Sequence, residues 1–393
     1  MLKARPNFQG LNVTFNTNED CNLACTYCYE INKKNRVMKL DDAKRFIDIL
    51  LEEKDPINAI GTKDQWILEN GIILDFIGGD ALMHPDLVDD IVSYFKIQTK
   101  LKNHKWKDNW RISISTNGTL FGNKPVQDLI EKYKSVMSVG VSIDGCPELH
   151  DMCRVYNDGR GSMETIRKWW PWYLSKFGDH GRITKSTLSK ESIPYIYDSL
   201  VFLYEEMGIT HINQNFIMEN MYLEQKDIDL LDEQMEKGVN YLLKHRHEIY
   251  WGLIADGADR VLSYCDNCKE HPNSGWCGSG AMPALSVDGQ IYPCFRFLPH
   301  TQKVDTTFQV GDVKTGFNRK ESFERVRAAT RETISEKKCT ECPIESICSW
   351  CVAGAYSETG TLSRPTHICE TNKVRAKWSK IYWEKYNELE GLS

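Results

Sequence analysis

The stretch Leu11–Glu30, LNVTFNTNEDCNLACTYCYE, decides how the rest of the chain is read. From Leu11 to Asn16 apolar and polar residues alternate, a period of two that predicts a half-buried strand. Directly behind it stand Cys21, Cys25 and Cys28, spaced C-x3-C-x2-C. Three thiolates on one short loop can reach three corners of a cubic 4Fe–4S cluster, and thiolate is the natural ligand of such a centre. The remaining iron is then open to a small molecule, and an open coordination position marks catalysis rather than scaffolding. On spacing alone, a structural zinc site completed by a distant fourth cysteine is the alternative.

Outward from this loop the chain alternates strand and helix patterns. Strands are predicted at Ile72–Ile77, Arg111–Thr116, Ser138–Ile143, Arg182–Leu188 and His211–Met218. Between them lie the helical patterns LDDAKRFIDILLEE, PDLVDDIVSYF, KPVQDLIEKYK and IPYIYDSLVFLYEEMG. Six βα units in succession predict an α/β fold with a parallel sheet and right-handed crossovers. Six is two short of a closed eight-fold barrel, so a partial, open (β/α)6 barrel is expected. A helix from Asp227 to about Glu248 reads as a connector. After Tyr264, Cys, Gly and Pro become frequent, and a helical pattern returns clearly only over Val374–Tyr386. Such a segment has little apolar surface to bury, and bound metal is expected to organise it. The expected division is 1–235 for the partial barrel, 236–264 for a helical connector and 265–393 for a loop-rich iron–sulfur domain.

Composition agrees with a soluble enzyme-sized chain. At 393 residues the length allows two to three domains of about 150 residues each. Lys plus Arg is 49 and Asp plus Glu is 55, a net charge of −6 that gives no support for a general nucleic-acid binder. No apolar run approaches the ~20 residues that cross a bilayer, and the N-terminus lacks the apolar core of a secretory signal. A cytoplasmic protein with no nucleic-acid or membrane partner is expected. Of the 14 cysteines, three lie in the loop and nine in the last third, at 265, 268, 277, 294, 339, 342, 348, 351 and 369. In a reducing compartment such clusters read as metal or catalytic sites. Cys146 and Cys153 stand alone and read as small buried hydrophobes.

The fragment CNLACTYCYE, with Tyr27 before its third cysteine and a strand before it, resembles the signature of the radical S-adenosylmethionine (radical SAM) enzymes. The resemblance implies that Cys21, Cys25 and Cys28 hold a 4Fe–4S cluster whose open iron is chelated by the methionyl end of S-adenosylmethionine. It further implies reductive cleavage to a 5′-deoxyadenosyl radical that abstracts a substrate hydrogen. Gly78-Gly79-Asp80, after the second strand, is similar to the family's Gly-Gly-Glu, with the acid one methylene shorter. Thr116 and Asn117, and then Ser142 and Asp144, follow the third and fourth strands and are similar to stretches lining the cofactor. Arg154, in LHDMCR with His150, could pair with a cofactor carboxylate or form a surface ion pair. Tyr27, Gly78, Gly79, Asp80, Thr116, Asn117, Ser142, Asp144 and Arg154 are thus the expected cofactor contacts.

The C-terminal cysteines run C-x11-G-x4-C (Cys277, Gly289, Cys294), then C-x2-C-x5-C-x2-C (Cys339–Cys351), then Cys369. This resembles the SPASM domain, which implies two auxiliary 4Fe–4S clusters and three in all. Carried over, Cys277, Cys294 and Cys351 with Cys268 (or Cys265) would hold the first, and Cys339, Cys342, Cys348 and Cys369 the second. The family more often places three residues, not two, before the cysteine at 351. A pair of zinc sites is the alternative, since thiolates suit either metal.

Other features carry less. Trp169, Trp170 and Trp172 crowd around Pro171, which is expected to kink or end a helix there. The five lysines from Lys96 to Lys107 read as a solvated loop, or as a receiver for an acidic peptide leader. No Walker-type or Ser/His/Asp pattern supports phosphate transfer or triad hydrolysis.

The resemblance extends to maturases of ribosomal peptides with CXXX repeats, carried by LNVTFNTNEDCNL, WKDNWRISISTNGTLF and SIDG…LHDMCRVYNDGRGS. It implies thioether cross-linking of a precursor peptide, with a flavodoxin- or ferredoxin-type electron donor. The competing expectation is an anaerobic sulfatase maturase making formylglycine. Those proteins commonly carry an acid directly after Tyr-Pro-Cys, where this chain has Phe295. A third reading is a non-enzymatic iron–sulfur carrier, against which the open three-cysteine loop argues. With 20 residues before Cys21, a winged-helix leader-binding module is not expected on that side of the loop.

Overall fold

The computed structural model describes residues 10–52, 71–255, 280–345 and 347–392. Its backbone is one ten-stranded sheet. The strands β1 (Leu11–Asn18), β2 (Ile72–Gly78), β3 (Trp110–Thr116), β4 (Met137–Ser142), β5 (Ile183–Leu188), β6 (His211–Phe216) and β7 (Tyr250–Trp251) pair in chain order, all parallel. The six predicted strands are all present, shifted by no more than two residues at either end. The helices α1 (Leu40–Glu52), α2 (Pro85–Leu101), α3 (Lys124–Tyr133), α4 (Pro147–Cys153), α5 (Met163–Phe177) and α6 (Ile196–Glu205) fall in the crossovers. Sequential order with crossovers of one hand puts the helices on one face, the arrangement of a partial barrel.

That asymmetry is written into the strand residues. Toward the helices, Val13, Phe15, Leu74, Phe76, Ile112 and Ile114 are fully buried. Phe15 stacks on Phe76 with ring centroids 5.5 Å apart and meets Phe46 of α1 edge-on at 5.6 Å. The alternate positions form an inner face that is mostly polar. Thr14 pairs with Asp75, Asp75 with Ser113, Ser113 with Ser138, and Lys185 with Asn213.

Two expectations need correction, and a third meets a helix. The α5 helix does not end at Pro171, because Met163, Ile166, Trp170, Tyr173 and Phe177 form a buried stripe whose packing outweighs one missing backbone bond. Trp170 also donates to the Met207 carbonyl at 2.8 Å. The Lys96–Lys107 stretch is not a loop: α2 continues to Leu101, a short turn of 3-10 helix covers Lys105–Lys107, and Trp106 is buried there. The expected boundary at 236 falls within α7 (Gln225–Lys244).

The larger difference concerns the C-terminal third, which does not lack a core. After α8 (Gly252–Ala255), the strands β8 (Ala284–Leu285), β9 (Gln290–Tyr292) and β10 (Gly311–Asp312) extend the main sheet. Of these, β8 pairs parallel with β1 through Thr14 to Ala284 and Phe15 to Leu285, and β9 returns antiparallel. Short helices α9 (Lys320–Ala328), α10 (Arg331–Ile334), α11 (Lys337–Thr340) and α12 (Val352–Thr359) follow, then the long α13 (Cys369–Glu390). Phe297, Leu298, Phe308, Val310, Trp350 and Ile368 are buried. These apolar residues follow no helical or strand period, which hides them from a periodicity reading. The α13 helix packs along α7, where Asp232 accepts from Trp378 at 2.8 Å and pairs with Lys377 at 2.6 Å.

Among the described residues, no helix is long and apolar enough to cross a membrane. Replacing the buried Phe15 with Ala is expected to cost about 3–5 kcal/mol. The measurement is the shift of the urea midpoint at unchanged slope.

Candidate active site

The cysteine loop leaves the C-terminal end of β1 and is laced to the segment after α4. Leu23 bridges Tyr156, and the amides of Ala24 and Thr26 donate to the carbonyls of Val155 and Cys153 at 2.7 and 2.9 Å. Beneath it lie two glycines of β2's end. A Cβ on Gly79 would overlap the Asp20 carbonyl and press on the Cys21 side chain, and one on Gly78 would overlap the Asn18 carbonyl. These glycines therefore let two strand ends touch backbone to backbone, a demand only glycine meets.

Each sulfur of the trio has a donor. Cys21 accepts from the Leu23 amide at 3.4 Å and the Asn117 amide nitrogen at 3.8 Å. Cys25 lies 4.0 Å from the Arg154 guanidinium, and Cys28 lies 3.6 Å from the Lys33 ammonium. Burial pushes the Cys21 thiol up to about 12 and raises that of Cys25. A half-buried thiol set with donors aimed at every sulfur fits ligation, because a bound metal centre supplies the positive charge that burial withholds. Among the described residues no three His, Cys, Asp or Glu side chains gather closely enough for a single metal ion. A cubane, taking one thiolate per iron, does not require it.

Behind the trio the expected cofactor contacts form a buried mesh. Asp80 accepts from Thr116 Oγ1 at 2.8 Å, the Asn117 amide at 2.8 Å and the Leu82 amide at 3.0 Å. Burial lifts its carboxyl to about 6 against these bonds. Its acceptor sites are thus directed at the protein, so the shorter acid ties β3's end to β2's rather than reaching outward. Asn117 in turn donates to Asn22 at 2.8 Å, joining the mesh to the loop.

A second buried group closes the other side. Asp144, fully buried after β4, accepts from Arg154 Nε at 2.9 Å, from the Thr187 amide at 2.9 Å and from the Tyr27 hydroxyl. Arg154 is therefore not a surface ion pair: its buried partner is Asp144, and its guanidinium also faces the Tyr27 ring at 5.4 Å. Burial holds the Tyr27 phenol well above its usual range, so it serves as a donor. His150, buried, accepts from the Asp144 amide at 3.3 Å and bonds Ser162 at 2.9 Å; burial lowers it to about 4, leaving it neutral. Ser142 ends β4, half-buried, opposite Lys185 on β5. Cys146 and Cys153 are buried, as expected.

In the C-terminal third, Cys339, Cys342, Cys348 and Cys369 come together: Cys348 feels the charges of Cys342 and Cys339, and Cys369 those of Cys348 and Cys339. Arg364 hydrogen-bonds Cys348. Cys294 and Cys351 each cap a helical turn, Phe295–Phe297 and α12, and these turns pack together. Cys265, Cys268 and Cys277 lie outside the described residues. Lys33, Asn22 and Arg364 were not legible as site residues, since lone Lys, Asn and Arg side chains carry no spacing signal.

Substituting Gly79 with Ala is expected to displace the cysteine loop. Anaerobic reconstitution should then incorporate about four fewer irons per chain than wild type, read by iron and sulfide analysis.

The chain is similar to several relatives and solved structures. A protein of Methanocaldococcus jannaschii is 27% identical over 279 residues, 70% of this chain and 81% of that protein. The subtilosin biosynthesis protein AlbA of Bacillus subtilis is 23% identical over 296 residues, 73% of this chain and 55% of AlbA. The serine-type anaerobic sulfatase-maturating enzyme of Bacteroides thetaiotaomicron is 31% identical over 157 residues, 37% of this chain and 32% of the enzyme. Among solved structures, anSMEcpe with bound AdoMet and Kp18Cys peptide superposes with a TM-score of 0.68 at 14% identity, covering 96% of this chain and 98% of that one. Streptococcus suis SuiB bound to precursor peptide SuiA superposes with a TM-score of 0.53 at 17% identity, covering 92% and 76%. Residues 15–169, which hold the cysteine trio, the Gly-Gly-Asp turn and the Asp144–Arg154 pair, match the model of the Radical SAM superfamily: the chain carries a radical SAM domain.

Proposed function

We propose that this chain is a radical SAM oxidoreductase acting on a ribosomally made precursor peptide, in which it joins a cysteine sulfur to a carbon of another residue. The observation that carries the reading is the trio Cys21, Cys25 and Cys28, with a donor at every sulfur and no fourth cysteine in its loop. A 4Fe–4S cluster bound there with S-adenosylmethionine supplies hydrogen-atom abstraction. This chain's residues hold and shield that centre. Lys33 and Arg154 balance thiolate charge, Gly78 and Gly79 admit the loop, and the Asp80 mesh fixes its rear. Tyr27, Asp144 and Arg154 keep its outer turn from shifting.

In the C-terminal third, Cys339, Cys342, Cys348 and Cys369 are proposed ligands of one auxiliary cluster. Cys294 and Cys351, with Cys277 and Cys268 (or Cys265), are proposed for another, making three. The likeness to AlbA, a bacteriocin biosynthesis protein, over 73% of this chain favours a peptide substrate. Against the formylglycine route stands Phe295, which follows Tyr292-Pro293-Cys294 and packs 6.0 Å from the Tyr29 ring. An aromatic ring there cannot act as the base.

The test is anaerobic incubation with dithionite, S-adenosylmethionine and a co-expressed cysteine-containing precursor peptide, followed by mass spectrometry. Loss of two hydrogens per linkage, with thiols no longer alkylatable, is expected. Exchange of sulfur for oxygen at a cysteine would instead establish the formylglycine route, and absence of 5′-deoxyadenosine would make the chain an electron carrier.

A further inference from the structure

Both reactions considered above remove a proton from the substrate's thiol, and the position after Tyr292-Pro293-Cys294 offers no acid to receive it. The inner face of the sheet offers one. Asp75 is the only acidic residue in β1 to β6, and it stands mid-strand among small polar neighbours. Ser113 of β3 hydrogen-bonds its carboxylate, and Thr14 of β1 donates to Oδ2 at 3.4 Å. Two strands beyond β3, Lys185 of β5 reaches back to Ser115 at 2.8 Å and its ammonium acts on Asp75. The lysine stem can lie flat because β4 has glycine beneath it: a Cβ on Gly140 would sit 2.8 Å from Lys185 Cε. Tyr29, next to Cys28, also feels the Asp75 charge. On the same face Asn16 is fully buried and neither of its amide atoms has a hydrogen-bond partner. Native proteins pair nearly all such groups, so the orphaned carboxamide calls for a polar partner, water or ligand, on this face.

We propose that Asp75 is the proton acceptor for the substrate thiol, oriented by Thr14 and Ser113 and flanked by the Lys185 side chain lying over Gly140. The inference rests on the peptide-maturase reading. Cross-linking breaks one substrate C–H and one S–H bond and makes one C–S bond. The hydrogen atom leaves on 5′-deoxyadenosine and the thiol proton goes to Asp75. One electron passes to an oxidised iron–sulfur acceptor, balancing the one that a low-potential donor supplies to cleave the sulfonium. Burial raises the Asp75 carboxyl above its usual range, while Ser113, Lys185 and Thr14 pull it back. A carboxylate poised in this way is a better base than an exposed one. Being a base, it fails as pH falls through its own titration.

The experiment compares wild type with Asp75→Asn, Asp75→Glu and Gly140→Ala across pH. In Asp75→Asn, cross-linked peptide per 5′-deoxyadenosine is expected to fall about 100-fold or more, and the acidic limb of the product profile to vanish. Asp75→Glu should restore the limb. Gly140→Ala, by displacing the lysine, should move the limb to higher pH. An unchanged product ratio and acidic limb in Asp75→Asn would overturn the proposal. Infrared titration of the carboxyl stretch, wild type minus Asp75→Asn without substrate, separates the two claims. A band titrating above about 3.9 supports the poised carboxylate, and one at or below it removes its basis. Wild type that makes 5′-deoxyadenosine yet alters no peptide would overturn the maturase reading instead, whatever the infrared result.

Discussion

The contact between the ends of β1 and β2 governs the site. There the Asn18 and Asp20 carbonyls press against Gly78 and Gly79, and the amides of Gly79 and Asp80 donate back to them at 3.1 and 3.2 Å. No side chain fits between the two segments. The close approach places Cys21 directly over the Gly-Gly turn and brings Asp80 within reach of Thr116 and Asn117. Asn117 then reaches both Asn22 and Cys21. One steric condition, satisfied by two residues without side chains, thereby fixes a chain of polar contacts that ends on a sulfur.

The C-terminal third is built onto the same strand. Because β8 pairs with β1, the strand that launches the cysteine loop is central rather than an edge, and it is paired on both sides at Thr14 and Phe15. Further ties join the loop to this region. The Asn32 side chain donates to the Gln302 carbonyl at 3.0 Å, its amide donates to the His300 carbonyl at 3.0 Å, and Arg296 lies over the Tyr29 ring at 4.5 Å. Arg296 also pairs with Glu219, which follows β6. The region after β9 is therefore held in fixed relation to the cysteine loop.

The two faces of the sheet divide the labour. Toward the helices, large apolar side chains give the fold its stability through burial. The inner face spares little apolar surface and carries hydroxyls, amides, one acid and one lysine, groups suited to orient a polar chain.

Much of this was open to reading from the residues in order. Period-two strands, period-3.6 helices and the glycines after strand ends depend on neighbours a few positions apart, so six βα units and the cysteine trio were legible without coordinates. What tertiary structure alone decided depends on how the backbone turns between residues, whatever their separation along the chain. Arg154 meets Asp144 only once β4 and α4 are folded together, and Lys33 gains meaning only because its chain curls back on Cys28. The aperiodic aromatic residues after Tyr292 form a core only when β8 is laid against β1. Asp75, one acid in an apolar run, becomes a distinct group only when β1, β3 and β5 bring Thr14, Ser113 and Lys185 around it, because pairing across strands, unlike spacing along them, leaves no mark in sequence order.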